Sequence, residues 1–270
     1  MKKHLPLIIV SLLFSGVALT AESKTVPFND ITWGHLNPLR GSASPDAADL
    51  WGDRTSASPT GFIVKFKDGF SSPPHIHNVS YRGIVISGSV HNDDPAAKSM
   101  WLTPGSFWTQ PAGEAHITAA EGESNIAYIE IDSGPYLVQP ESEAFDNGER
   151  PVNIEGSNLV WLDAADIKWV GENTHVKRAF LWGNTQQGSL NGSLIKLPAN
   201  FNGKITSEGD TFHAVVVAGE VQYSKAGSTQ LLDAGSYFGS SENKSYSLNT
   251  TDESTLYIRT NGKFNINKQI

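Results

Sequence analysis

The chain has 270 residues, with 20 Lys and Arg against 28 Asp and Glu, a formal net charge of −8, and no cysteine. The lack of cysteine excludes disulfides, thiolate catalysis and cysteine-ligated zinc. The acidic balance, without any basic run, makes nucleic acid and anionic lipid surfaces poor partners.

At the amino terminus, Lys2 and Lys3 precede an apolar run from Leu5 to Val17, and the small residues Gly16, Ala18, Thr20 and Ala21 follow. The run is shorter than the roughly 20 residues a membrane span needs. Residues 1–21 are therefore expected to be a secretory signal peptide, and the mature protein to be periplasmic with no membrane attachment after cleavage. Without Lys2 and Lys3, 18 basic residues face 28 acidic ones, a charge of −10.

The segment Ala47 to Leu50 reads as a single helical turn, and Gly61-Phe-Ile-Val-Lys-Phe66 as a strand. His75-Ile-His77 follows on a short extended stretch, then strands over 83–87 and 126–131. Residues 136–158, rich in Pro, Glu, Asn and Gly, form the expected connection, and Asp163 to Asp166 a second single turn. Further strands are expected over 193–197, 214–218 and 255–259. No segment sustains an apolar period of 3.6 residues, and many short strands with frequent turns indicate an all-β barrel or sandwich.

The two halves repeat. Leu50-Trp-Gly-Asp53 returns as Leu181-Trp-Gly-Asn184, Gly61 to Phe66 as Gly192 to Leu197, and Gly83 to Val90 as Ala214 to Val221, all offset by 131 residues. Gly105-Ser-Phe-Trp108 returns as Gly235-Ser-Tyr-Phe238, offset by 130. Such regularity predicts two copies of one β-domain, residues 22–135 and 159–270, joined by 136–158.

Chemistry concentrates in the first copy. Alternate side chains of a strand share a face, so His75 and His77 project the same way, and His116 follows a Pro-x-Gly turn. Neutral imidazole is a common metal ligand, and three that converge leave positions open for water or substrate. Tyr81 and Gln110 are the candidate catalytic side chains beside them. Glu114 reads as a solvated loop carboxylate, Arg82 as surface packing, Trp101, Phe107 and Trp108 as core, and His91 as a surface turn residue. His35 and His175 have no partner at an informative spacing.

Gly69, His75, His77 and Gly88, then Gly105, Pro111, Gly113 and His116, resemble at every one of those positions the two motifs of the cupin superfamily. The repeat extends the likeness to a two-domain bicupin, which implies tandem double-stranded β-helix barrels of the RmlC-like jelly-roll type. The resemblance makes His75, His77 and His116 the ligands of one divalent metal ion, with iron, zinc, manganese and nickel all open. Tyr81 stands where the family usually has glutamate, which argues against oxalate-decarboxylase chemistry. Its phenol could be a fourth ligand, a hydrogen-bond donor to bound substrate or an aromatic wall, and a ligand role must overcome a pKa near 10.

In the second copy Thr206, Glu208 and Phe212 replace His75, His77 and Tyr81, and His213 replaces Arg82. That copy is expected to be degenerate and structural. The leading expectation is a three-His metal enzyme, dioxygenase-like, acting on a small oxygen-bearing organic molecule. The alternative is a non-catalytic periplasmic sensor or binding module similar to the cupin half of ChrR-type anti-sigma factors. Whether a barrel edge is left for a homodimer stays open.

Overall fold

Strand Thr60–Phe66 shows how apolar runs become sheet here. Phe62, Val64 and Phe66 point into one core, whereas Ile63 between them points into another, as a period of two requires. Both faces are covered, so the strand reads as almost continuously hydrophobic. The computed structural model describes residues 23–225, 227–241 and 245–269, and the expected signal segment 1–21 lies outside them.

The amino-terminal half is built on a seven-stranded antiparallel sheet. Its order is Val152–Ile154, Phe107–Gln110, Tyr81–Asp93, Ile117–Ile131, Thr60–Phe66, Asp46–Trp51 and Gly34–His35. A two-stranded ribbon, His75–His77 with Val138–Pro140, faces it. The carboxy-terminal half has a six-stranded and a five-stranded sheet enclosing Ile195, Phe201, Phe212, Phe238 and Phe264. Helical structure among the described residues is limited to short 3-10 turns, and no helix there is long and apolar enough to cross a membrane. The all-β expectation is met.

Two elements exchange between halves. Ser23–Val26 pairs with Tyr237–Ser240 of the carboxy-terminal half, while Val152–Ile154 pairs with Phe107–Gln110 of the amino-terminal half. Val26 lies opposite Tyr237 and Ile154 opposite Phe107, so the two arms occupy matching places in the repeat. Residues 136–158, expected as a connection, thus contribute strands to the first half.

Between the halves a third cluster gathers Trp51, Ile63, Phe107 and Tyr128 from one side with Leu194, Val215, Tyr237 and Tyr257 from the other. At its centre Glu130, 1% exposed, accepts from Tyr257 Oη at 2.8 Å and Tyr128 Oη at 3.2 Å, and meets Arg259 Nη1 at 3.2 Å. Trp51 Nε1 donates to Tyr128 Oη and Trp182 Nε1 to Tyr257 Oη, both at 2.9 Å. His213 stacks on Trp51 at 3.9 Å, and the Arg82 guanidinium sits 3.7 Å above the Trp182 ring. These partners are repeat equivalents, and they form a pseudo-symmetric interface.

Three local expectations are corrected. Residues 46–51 form a strand rather than a helical turn, because pairing with Thr60–Phe66 and two covered faces outweigh the alanines' helix preference. Arg82 is an interface residue bound to Asp132 at 2.8 Å, not surface packing. His91 is 2% exposed, since Tyr81–Asp93 runs past it and pairs it with Ala119.

Candidate metal centre

Backbone pairing places the candidate ligands before any side chain is considered. His75 N donates to His116 O and His116 N to His75 O, each at 3.0 Å, which sets the two residues opposite one another. Gly113 N donates to His77 O at 2.8 Å, anchoring the Pro111-Ala112-Gly113 turn beneath the same strand. Gly113 has a φ of +78°, and an added Cβ would lie 2.4 Å from the Phe145 carbonyl oxygen, so the turn requires glycine.

The three rings converge. Their centroids are 4.2 to 5.2 Å apart, and one nitrogen from each lies within 4.8 Å of the other two. Each Nδ1 is committed to a backbone carbonyl: His75 to Pro73 at 3.0 Å, His77 to Leu137 at 3.0 Å and His116 to Glu114 at 3.2 Å. A carbonyl can only accept, so Nδ1 carries the proton and Nε2 keeps its lone pair as an acceptor. Burial holds the pKa of all three rings down, with His77 well below the usual range and His116 at about 3. Three neutral imidazoles with unprotonated Nε2 atoms are the ligand form. Among the described residues this is the only such convergence of His, Asp or Glu side chains.

The surrounding groups test whether a cation fits. Tyr81, 3% exposed, donates its proton to Asn92 Oδ1 at 2.9 Å, and its oxygen lies 3.4 Å from His116 Nε2. With the phenolic proton turned away, lone pairs of oxygen and nitrogen face one another, an arrangement that a positive ion relieves. The donor set of three imidazoles suits divalent first-row metals. The residues present fit such an ion.

Asn92 organises this wall. Its Oδ1 also accepts from Thr118 Oγ1 at 2.8 Å, and its Nδ2 donates to Gln110 Oε1 at 2.8 Å. Gln110 Nε2 in turn donates to the Glu114 carbonyl at 3.2 Å. Gln110 therefore stands behind Asn92 with its amide fully engaged, and it is a positioning residue. Burial pushes the Tyr81 phenol well above its usual pKa, which favours wall or donor over phenolate ligand. Glu114 lies outside the cavity, in a depression shared with Arg150.

The sequence reading missed Tyr136 and Asn92. Tyr136 stacks on His77 at 4.4 Å and donates its hydroxyl to His77 Nε2 at 3.2 Å. No motif spacing marks either residue, because Asn92 lies at the far end of the Tyr81–Asp93 strand and Tyr136 comes from the expected connection. Around these groups opens a cavity of about 350 Å³ with an apolar wall including Val64, Phe66, Phe70 and Ile129. Among the described residues the second half carries no counterpart. Phe212 stacks there on Tyr246 at 4.3 Å, the two rings filling the core at the repeat positions of Tyr81 and His116.

A family model described as a domain of unknown function (DUF4437) matches residues 24–267. No curated protein matches the chain. Among solved structures, a provisionally assigned dioxygenase from Nostoc punctiforme superposes with a TM-score of 0.68 at 13% identity, covering 93% of this chain and 85% of that one. The salicylate 1,2-dioxygenase of Pseudaminobacter salicylatoxidans gives 0.62 at 12% identity, covering 89% and 84%. The oxalate decarboxylase of Lactobacillus farciminis gives 0.58 at 11% identity, covering 90% and 88%. At such identities the likeness is one of fold, and the fold is that of the cupins.

Proposed function

The chain belongs to the DUF4437 family, and from that premise we propose that it is an exported bicupin whose first barrel binds one divalent metal ion and acts on a small oxygen-bearing organic molecule. In this reading residues 1–21 direct export to the periplasm, 22–135 form the metal-bearing domain, 136–158 connect, and 159–270 form a structural copy. The observation that carries the proposal is the shared anchoring of His75, His77 and His116, each with Nδ1 on a carbonyl and Nε2 toward one point. The chemistry is dioxygenase-like, with iron as the leading ion.

When bound, the ion supplies Lewis acidity toward substrate oxygens and, if redox-active, one-electron chemistry. The chain's own residues do the rest. The apolar walls exclude water from the reacting end of the substrate and so strengthen each polar contact there. The Tyr136 hydroxyl, which donates to a ring nitrogen, can donate instead to a substrate oxygen. Asn92 fixes the Tyr81 proton, so the Tyr81 oxygen faces the centre as an acceptor. Oxygen uptake by the iron-loaded chain on a panel of 1,3-diketones, flavonols and catechols tests the catalytic reading. Uptake that disappears in His116→Ala is expected. No uptake with any member would defeat it.

One observation favours the ChrR-like, non-catalytic alternative: among the described residues no carboxylate lines the cavity, so no carboxylate base stands beside the imidazoles. Zinc that survives chelation and whose removal unfolds the protein would mark that alternative as correct.

A further inference from the structure

The cavity around the imidazoles carries a single permanent charge on its wall. Arg40 stands at the mouth, and among the described residues no aspartate or glutamate lines the space, although the chain has 28 of them. The Arg40 guanidinium makes no ion pair or hydrogen bond with the described residues.

The turn that presents Arg40 is built, not slack. Asn37 Oδ1 accepts from Leu39 N at 3.1 Å, Asn37 N donates to Ser44 Oγ at 2.9 Å, and Leu36 N closes the base on Pro45 O at 2.8 Å. Lys67 Nζ holds the far side through the Ser42 carbonyl at 2.9 Å. Ser44 is 3% exposed, so the turn is rooted in the fold while Arg40 itself stays open to solvent. Between Arg40 and the rings the walls are apolar, with Phe66, Phe70 and Val138.

A charged mouth, an apolar barrel and a metal-competent floor select a ligand with matching parts. We propose that the cavity takes organic monocarboxylates, held with an oxygen-bearing end at the three imidazoles and the carboxylate against Arg40. One guanidinium matches one carboxylate in a two-pronged pair. A phosphate dianion would leave its second charge uncompensated on this wall. The proposal rests on the metal-centred reading above and specifies its substrate class.

The test uses the full chain loaded with zinc, which keeps a catechol from being oxidised. Binding of 3-(3,4-dihydroxyphenyl)propanoate and of its methyl ester is measured by calorimetry in wild type, Arg40→Gln and Arg40→Lys. The wild type is expected to bind the acid about three- to tenfold more tightly than the ester, a preference that shrinks in high salt. Arg40→Gln is expected to equalise the two with ester affinity unchanged, and Arg40→Lys to restore part of the difference. Equal binding in the wild type, or a preference that survives Arg40→Gln, would overturn the carboxylate assignment alone. Failure of both probes to bind the wild type would overturn the metal-centred reading and this one with it.

Discussion

A histidine becomes a dependable metal ligand when one of its nitrogens is already committed. In this site the commitment is to the carbonyls of Pro73, Leu137 and Glu114, none of which a motif would name. The meeting of the three imidazoles was legible from the spacing and the motif resemblance it carries, because His-x-His on a strand and a histidine after Pro-x-Gly leave little freedom of placement. Asn92 was not, since a single asparagine carries no pattern. Replacing it by leucine strands the Tyr81 and Thr118 hydroxyls and the Gln110 amide. Asn92→Leu is expected to lower stability by about 2–3 kcal/mol, read as a shifted urea midpoint with unchanged slope. A change below about 0.5 kcal/mol would mean that the network is not the support argued for here.

At the scale of elements, the strands rich in Val, Ile and Phe announced themselves, while the exchanged arms Ser23–Val26 and Val152–Ile154 did not. The arms are short, and their pairing partners lie far away in sequence, so nothing local distinguishes them from loops. Residues 46–51 misled for a related reason: two alanines suggest a helix, and only the neighbouring strand decides otherwise. Glycine marks where strands approach bulky rings. A Cβ on Gly61 would lie 2.1 Å from Trp51 Nε1, and one on Gly192 would lie 2.0 Å from Trp182 Nε1. Gly61→Ala and Gly192→Ala are each expected to cost about 1–3 kcal/mol, by similar amounts because they break equivalent contacts. Thermal unfolding of the two variants checks this, and an unchanged midpoint in either would show that the tryptophan moves aside freely.

At the scale of the whole molecule, stability depends on the polar centre between the halves. Glu130 and Arg259 are both nearly fully buried, and removing the carboxylate leaves Arg259 with Asp132 at 2.8 Å as its remaining ion pair. Glu130→Ala is expected to cost about 3–5 kcal/mol, measurable as a large fall in melting temperature. The interface also sets a pH dependence. His213, buried against Trp51, has its pKa pushed down to about 3 by burial, with the Arg259 charge adding to the effect. The unfolded chain takes up that proton near pH 6.5 and the folded one does not, so stability is full above pH 6.5 and declines from there toward pH 3. The slope for one such ring is roughly 1 kcal/mol per pH unit; in metal-free protein His75, His77 and His116, whose pKa values are lowered too, add to it, so His213→Gln is expected to make the fall shallower by one ring's share without abolishing it. Denaturant midpoints of metal-free protein across this range provide the measurement, and a wild-type curve flat from pH 6.5 to 4 would contradict the burial argument.

Metal stoichiometry tests the centre of the account most directly. Elemental analysis of purified wild-type protein, as isolated and after incubation with Fe(II), Mn(II), Ni(II) or Zn(II), is expected to give close to one ion per chain. His75→Ala and His116→Ala, folded by circular dichroism, are expected to give close to none. A wild-type chain that stays metal-free under every one of these conditions would contradict the assignment of His75, His77 and His116 as a metal centre.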